Sequence, residues 1–307
     1  MKRPALPSAA RMRAWTPGLA GALLLLACAM PAIDLARDTA DVVVVFDITQ
    51  SMDVQDVALD GAPASRLAYA RESARRALRT LPCGSRVGWA AFTEYRTLML
   101  LAPIEVCGNY GDLLATLAHI DGRIRWGNAS EISKGVFWAV RAAKELEAKP
   151  ALVFITDGQE SPPLGASAAP MFDDLAPGQV HGWLAGVGGP APMPIPRSDA
   201  EGRAFGYWRA QDVIQRPPGT GRAPSHEQLS ELHDDHLRTL AAQVGFDYAT
   251  LDDPSTLARL MRDPRLARRV AVPTDVSWLP AAAALILLAW HFRPDARPRR
   301  VSRISGT

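Results

Sequence analysis

The chain is predicted to fold as α/β: a doubly wound, mostly parallel central sheet with helices on both faces, flanked by two transmembrane helices. Three observations lead there. Val42-Val43-Val44-Val45 is a continuous β-branched run inside Asp41–Phe46, as expected of a central strand buried on both faces of a parallel sheet. Ala151–Thr156 (Ala-Leu-Val-Phe-Ile-Thr) is a second such run. Between and after them, apolar residues at helical spacing alternate with short apolar stretches, the order that builds strand–helix–strand units.

In chain order, residues 65–81 carry Leu67, Ala70, Ala74 and Leu78 at helical spacing and stop before Pro82. Residues 86–92 and 97–102 read as two strands of a hairpin, 110–120 as a helix, and 131–146 as a longer helix stopped before Pro150. A strand is expected over 179–187, ending in Gly188-Gly189. Residues 190–224 are rich in Pro and Gly and too long for an ordinary connection, which marks them as functional. Within them, Pro194-Ile195-Pro196 through Gly206-Tyr207 has the makings of a small hairpin. A helix over 227–244, a short strand over 246–251 and a helix over 254–261 complete the body, with no internal repeat.

Charge and hydropathy set the expected topology. Residues 1–15 hold Lys2, Arg3, Arg11 and Arg13 without an acid, and 293–307 hold five Arg against Asp295. The tails thus contribute +8 to a net charge of +2, leaving −6 for everything between, too little basic surface to suggest nucleic acid. Each tail abuts an apolar run, Pro17–Ile33 and Val276–Phe292, the second carrying Trp278 and Trp290. Both runs lie at the short end of the spanning range, and the Trp residues suit an interface. The positive-inside rule puts both tails in the cytoplasm and residues 34–275 outside. The domain plan is therefore a basic tail 1–16, a transmembrane helix or signal anchor 17–33, a body 38–266, a transmembrane helix 276–292 and a basic tail 293–307. Ala27-Cys28-Ala29 also fits signal-peptidase cleavage, and Leu25-Leu26-Ala27-Cys28 a weak lipobox; all three readings leave the body on the same side.

Cys28 falls in the first apolar run, while Cys83 and Cys107 lie in the body, each followed by Gly. In an oxidising compartment these two are expected to form a disulfide, the alternative being two free buried thiols. No zinc spacing is present.

Ligands of such sheets bind beyond the carboxyl ends of the central strands. Three polar clusters fall on loops that reach this crevice: Asp47-Ile48-Thr49-Gln50-Ser51, Gly127-Asn128-Ala129-Ser130-Glu131 and Thr156-Asp157-Gly158. If Asp47, Thr49 and Ser51 alternate along a turn, their oxygens converge. Two carboxylates and three hydroxyls make a hard oxygen shell for Mg²⁺, with Mn²⁺ or Ca²⁺ as alternatives. So few anionic ligands leave the ion electrophilic and receptive to a carboxylate from outside.

At these residues the sequence resembles the von Willebrand factor A (VWA) family, whose metal-ion-dependent adhesion site (MIDAS) has the pattern Asp-x-Ser-x-Ser with a distant Thr and a distant Asp. Asp47, Thr49 and Ser51 match the first element with Thr in place of the first Ser, Ser130 stands for the distant Thr, and Asp157 for the last Asp. The resemblance implies that the hydroxyls hold the ion directly, with Asp47 and Asp157 acting partly through waters. Asn128 or Glu131 could replace Ser130, which could instead cap the following helix. Pro194-Ile195-Pro196, Asp199, Gly202 and Gly206-Tyr207 look like membrane-bound bacterial VWA proteins encoded beside MoxR-type ATPases. Leu81–Gly88, Phe92-Thr93-Glu94, Val106-Cys107 and Thr156–Glu160 look more like the Mxa-type VWA proteins of methanol-oxidation operons.

What the resemblance implies is a non-enzymatic, metal-dependent protein-binding module on the periplasmic face of a bacterial inner membrane. Its expected partner supplies an Asp or Glu carboxylate: methanol dehydrogenase during maturation, another VWA protein of the same operon, or a MoxR-type ATPase. The alternatives are a MoxR/Bat-type protein for envelope stress or complex assembly, and a metal-assisted phosphohydrolase with Asp47 as nucleophile, although Thr49 stands where such enzymes carry a second acid. His233 and His236 share a helix face, either as a second metal site or as a solvated surface. Trp126 and Phe205-Gly206-Tyr207-Trp208 are either partner contacts or packing residues.

Overall fold

The structure, a computed structural model, describes residues 9–162, 176–213 and 226–293. Residues 37–270 form one compact unit, and the flanking segments up to Ala36 and from Ala271 form another.

The large unit is built on a seven-stranded sheet. Its elements begin with β1 (Ile33–Asp47), then a small hairpin of β2 (Val57–Leu59) and β3 (Ala62–Ala64), and a helix that follows the flanking helix α1 (Ala9–Ala29) in number, α2 (Arg66–Leu78). Next come β4 (Arg86–Thr93), β5 (Arg96–Glu105), α3 (Tyr110–Ala118), α4 (Ile132–Glu145), β6 (Ala151–Thr156) and β7 (Gly182–Gly186). Beyond them lie the short strands β8 (Met193–Pro194), β9 (Pro196–Ser198), β10 (Ala204–Tyr207) and β11 (Leu229–Ser230), then α5 (Asp234–Val244), β12 (Asp247–Thr250), α6 (Pro254–Met261), β13 (Ala267–Thr274) and, in the flanking unit, α7 (Trp278–His291). The sheet order is β12-β7-β6-β1-β4-β5, with β13 also paired to β1. Every neighbouring pair from β12 to β4 is parallel, and β5 returns antiparallel to β4.

The valine run fixes this arrangement. Val42 to Val45 have no exposed surface, and alternation sends their side chains to opposite faces. Val42 and Val44 join one core with Leu67, Ala70, Ala74 and Leu78 of α2 and Leu257 of α6. Val43 and Val45 join the other, with Ile132 and Val136 of α4 and Leu237 and Leu240 of α5. A strand covered on both faces is what requires a continuous apolar run, and the doubly wound expectation holds for the body. At Gly135 of α4 a Cβ would sit 2.2 Å from the Phe92 ring, so glycine is what lets that helix approach the sheet.

The expected transmembrane helices are not there. No helix among the described residues is long and apolar enough to cross a membrane. The run 17–33 does not stay helical: α1 ends at Ala29 and Ile33 already opens β1. The apolar part of α1 beyond Arg13, from Pro17 to Ala29, therefore measures only about 20 Å at 1.5 Å per residue. The second run forms α7, 14 residues or about 21 Å, against about 30 Å of hydrocarbon. The two helices pack on each other, with Thr16 Oγ1 and His291 Nδ1 2.7 Å apart.

A second correction concerns residues 227–244. The helix begins only at Asp234, because the residues ahead of it are drawn into tertiary contacts. Leu229 and Ser230 pair with Pro194 and Met193, Leu232 N donates to Gly189 O, and His233 N donates to Asp157 O. The hairpin expected in the Pro/Gly-rich stretch is present as β9–β10; residues 214–224 of that stretch lie outside the described residues. Cys83 and Cys107 are joined by a disulfide, with Cα atoms 5.3 Å apart.

Candidate metal centre

β1, β4 and β6 run in the same direction and deliver their carboxyl ends to one edge, where the three polar clusters meet. Asp47 is the last residue of β1, and the chain then turns into a single 3₁₀ turn over Gln50–Asp53. That turn places Thr49 Oγ1 2.6 Å from Asp47 Oδ1 and 3.1 Å from Ser51 Oγ. Thr49 N also donates to Asp47 Oδ1, at 2.9 Å. From β6, Thr156 Oγ1 donates to Asp47 Oδ2 at 2.7 Å. Asp47 and Asp157 have no exposed surface.

The third cluster is held by backbone. Ser130 N and O bond Ser161 O and N, both at 2.7 Å, while the residues on either side bond Glu94: Glu94 N donates to Ala129 O and Glu131 N to Glu94 O. This clamp leaves the Ser130 side chain free to point elsewhere. Its Oγ is buried with no hydrogen-bond partner, and it does not cap α4, whose N-cap is Glu131. Capping falls instead to Glu160, which accepts from Ser133 N at 3.0 Å.

Thr49, Ser51 and Ser130 line one cavity of about 440 Å³, walled by Pro162, Ile195 and Trp208. The structure thus brings the three expected hydroxyl residues to a common space, with Asp47 directly behind them. An unpartnered buried hydroxyl costs about 1–3 kcal/mol, and a hard cation would satisfy Ser130 together with its two neighbours. The donor set fits a divalent ion.

Asp157 faces a different way from the simple expectation. Its Oδ2 accepts from Arg66 Nη1 at 2.6 Å and from Ser230 Oγ at 3.0 Å, and its Oδ1 accepts from Gln159 N at 3.0 Å. Arg66 is wholly buried; its other nitrogens bond Asp56, at 2.9 Å from Nε and 2.5 Å from Nη2. Burial alone would lower the Arg66 pKa, but the Asp56 and Asp157 carboxylates outweigh it and raise it. Sequence reasoning missed this arginine. One signal was available: a cation opening a helix right after its Ser65 cap opposes the helix dipole, so its charge serves something other than the helix.

Electrostatics of the pair follow from burial. Desolvation first, and the Asp157 charge second, push the Asp47 carboxyl up from 3.8 to about 7, against the hydrogen bonds from Thr49 and Thr156. A carboxyl whose folded pKa is raised binds its proton more tightly in the folded state, which stabilises the fold at low pH. In chelator, stability contributed by Asp47 is therefore complete below its unfolded pKa of about 3.8 and is lost as pH rises through about 7. We expect the urea midpoint of wild type to fall relative to that of Asp47→Asn between pH 5 and 8. Parallel curves for the two proteins would remove this reading of the pair.

Trp126 is 41 % exposed and so is not a core residue, and Phe205 and Tyr207 are exposed as well. Trp208 donates its indole N–H to Gln50 Oε1 and carries the Arg197 guanidinium 4.7 Å over its ring. Asp47 offers little to phosphoryl chemistry, since it is fully buried and both of its oxygens accept hydrogen bonds.

Comparison with known proteins agrees with this architecture. No curated protein matches the chain. Among solved structures, BatB, a conserved hypothetical protein from Bacteroides thetaiotaomicron, is 20% identical, with 74% of this chain and 97% of that one covered and a TM-score of 0.50. An aerotolerance-related membrane protein from Bacteroides fragilis NCTC 9343, with multiple mutations to serines, is 18% identical over 74% of this chain and 98% of that one, at a TM-score of 0.49. At such identities the BatB likeness speaks to fold alone. Residues 42–159 match the family model of the von Willebrand factor type A domain, a stretch that contains all five expected ligands, Asp47, Thr49, Ser51, Ser130 and Asp157.

Proposed function

We propose that residues 37–270 act as a non-enzymatic protein-binding module that recognises its partner through one divalent ion, Mg²⁺ by preference. The observation that carries this reading is the meeting of Thr49, Ser51 and Ser130 around one cavity, with the Ser130 hydroxyl buried and unpartnered. These hydroxyls would hold the ion, with Asp47 and Asp157 behind them. When bound, the ion supplies an electrophilic position for an Asp or Glu carboxylate of the partner. Arg66 keeps Asp157 in place and already offsets part of its charge, so the site retains affinity for an incoming anion. Ile195 and Trp208 of the Pro/Gly-rich segment wall the cavity and would add specificity.

The Cys83–Cys107 disulfide supports a working place in an oxidising compartment such as the periplasm. Assembly or maturation of another envelope protein is the role that suits a binding module there. Methanol dehydrogenase is one bait among several, alongside other VWA proteins and a MoxR-type ATPase.

Immobilised full-length chain should retain such a partner from native envelope extract in millimolar Mg²⁺, release it on chelation, and fail to retain it as Asp47→Ala. Retention that survives both chelator and the substitution would overturn the ion-dependent reading.

A further inference from the structure

Beside the hydroxyl cavity, and sharing Gln159 and Glu227 with it, lies a second cavity of about 550 Å³. It is lined by the acidic residues Glu160, Glu227 and Glu231 and by His226, His233 and His236, with no Lys or Arg among the described residues. α5 and the segment before it form one wall, and the loop after β6 forms the other.

Two residues of this lining each carry a buried acceptor that is left over. Glu160 is 9 % exposed, and its Oε1 takes three contacts: Ser133 N at 3.0 Å, Ser133 Oγ at 2.8 Å and His236 Nε2 at 3.2 Å. Its Oε2 takes none and is buried. Gln159, 6 % exposed, spends its amide N–H on Leu229 O at 3.0 Å, while its Oε1 is likewise buried without a partner. Both leftover atoms are pure acceptors, so what they lack is N–H or O–H donors. Leaving such atoms bare costs about 1–3 kcal/mol each, which a donor-rich ligand would recover.

The carboxylates add a sign to that requirement: the ligand carries positive charge. A metal ion does not suit. Among the described residues, no three of these side chains bring ligand atoms within 4.8 Å of one another, and the cavity is far larger than one ion. We propose that this cavity binds an organic cation, an alkylguanidinium or alkylammonium group, whose N–H donors reach Glu160 Oε2 and Gln159 Oε1. The group comes either as the side chain of an arginine or lysine on a protein partner or as a free amine. This site depends on none of the expected metal ligands and stands whether or not an ion occupies the neighbouring cavity.

The test is calorimetric titration of the purified full-length chain with Nα-acetylarginine amide, with agmatine, and with Nα-acetylcitrulline amide, a neutral counterpart of the first. Saturable binding of the two cations, with citrulline weaker by about tenfold or more, is the expected result, since a charge-assisted bond is roughly twice as strong as a neutral one. Tighter binding of the amide than of agmatine would identify a peptide side chain as the source; the reverse order would identify a free amine. Glu160→Gln should weaken the cations about tenfold. Because Glu160 also caps α4, Glu231→Gln on the opposite wall provides a second variant that leaves the cap intact, and it too should weaken them. Equal binding of arginine and citrulline amides, absence of binding by both cations, or indifference to both substitutions would overturn the proposal.

Discussion

Replacing Arg66 with Met is expected to lower the thermal midpoint of the metal-free chain by about 10 °C. The guanidinium sits at full burial between two carboxylates, 2.5 Å from Asp56 Oδ2 and 2.6 Å from Asp157 Oδ2. Removing one member of a buried ion pair strands the other, at a cost of about 3–5 kcal/mol, and in a domain of this size each kcal/mol moves the midpoint by about 2–4 °C. Here two carboxylates are stranded, along with Ser230 Oγ and O, which also accept from Arg66 at 2.6 and 3.2 Å. Arg66→Lys should recover only part of the loss, since an ammonium cannot reproduce the fork that reaches three partners. The substitution also bears on the ion: with the internal cation gone, millimolar Mg²⁺ should restore more stability to Arg66→Met than it adds to wild type. A variant that melts with wild type would mean the network contributes nothing to the fold.

The second large effect is expected at the disulfide. Cys83 lies just ahead of β4 and Cys107 just beyond β5, so the bond, spanning 24 residues, clips the open ends of the hairpin. Constraining a loop of this length in the unfolded chain is worth about 3 kcal/mol. The same corner is stitched by Glu105, which accepts from Gly84 N at 2.8 Å and Gly108 N at 2.6 Å, bonds that hold only while the ends stay together. β5 is also the edge strand, with Leu98 and Leu100 partly exposed. Reduction, or the double substitution Cys83→Ser/Cys107→Ser, should lower the urea midpoint and raise the tendency to aggregate through that edge. Equal midpoints under oxidising and reducing conditions would contradict this.

Much of the architecture was legible because local pattern and burial agree. The valine run reads as a twice-covered strand for the same reason that it forms one, and the spacing of Leu67, Ala70, Ala74 and Leu78 is that of the α2 face on the core. The meeting of the three polar clusters was readable because each directly follows a strand or precedes a helix, so topology alone carries them to one edge. What escaped was whatever depends on partners distant in sequence. Glu227–His233 has helical composition but is captured by β8, Gly189 and Asp157. The apolar terminal runs have membrane-like composition, yet one is cut short by entry into β1 at Ile33 and the other is too brief. Arg66 looks like one more surface arginine on a helix until Asp56 and Asp157, 10 and 91 residues away, close around it.

The central claim is that hydroxyls from two loops, backed by a buried carboxylate pair, form one divalent-ion site. Isothermal titration of the full-length chain with Mg²⁺, run beside Ser130→Ala and Asp47→Ala, addresses it most directly. Ser130→Ala removes a single oxygen that has no other bond to lose, so the fold should be unaffected. The account predicts one ion per wild-type chain, weaker binding by about tenfold or more in Ser130→Ala, and none in Asp47→Ala. Identical heats for all three proteins, with or without binding, would contradict it.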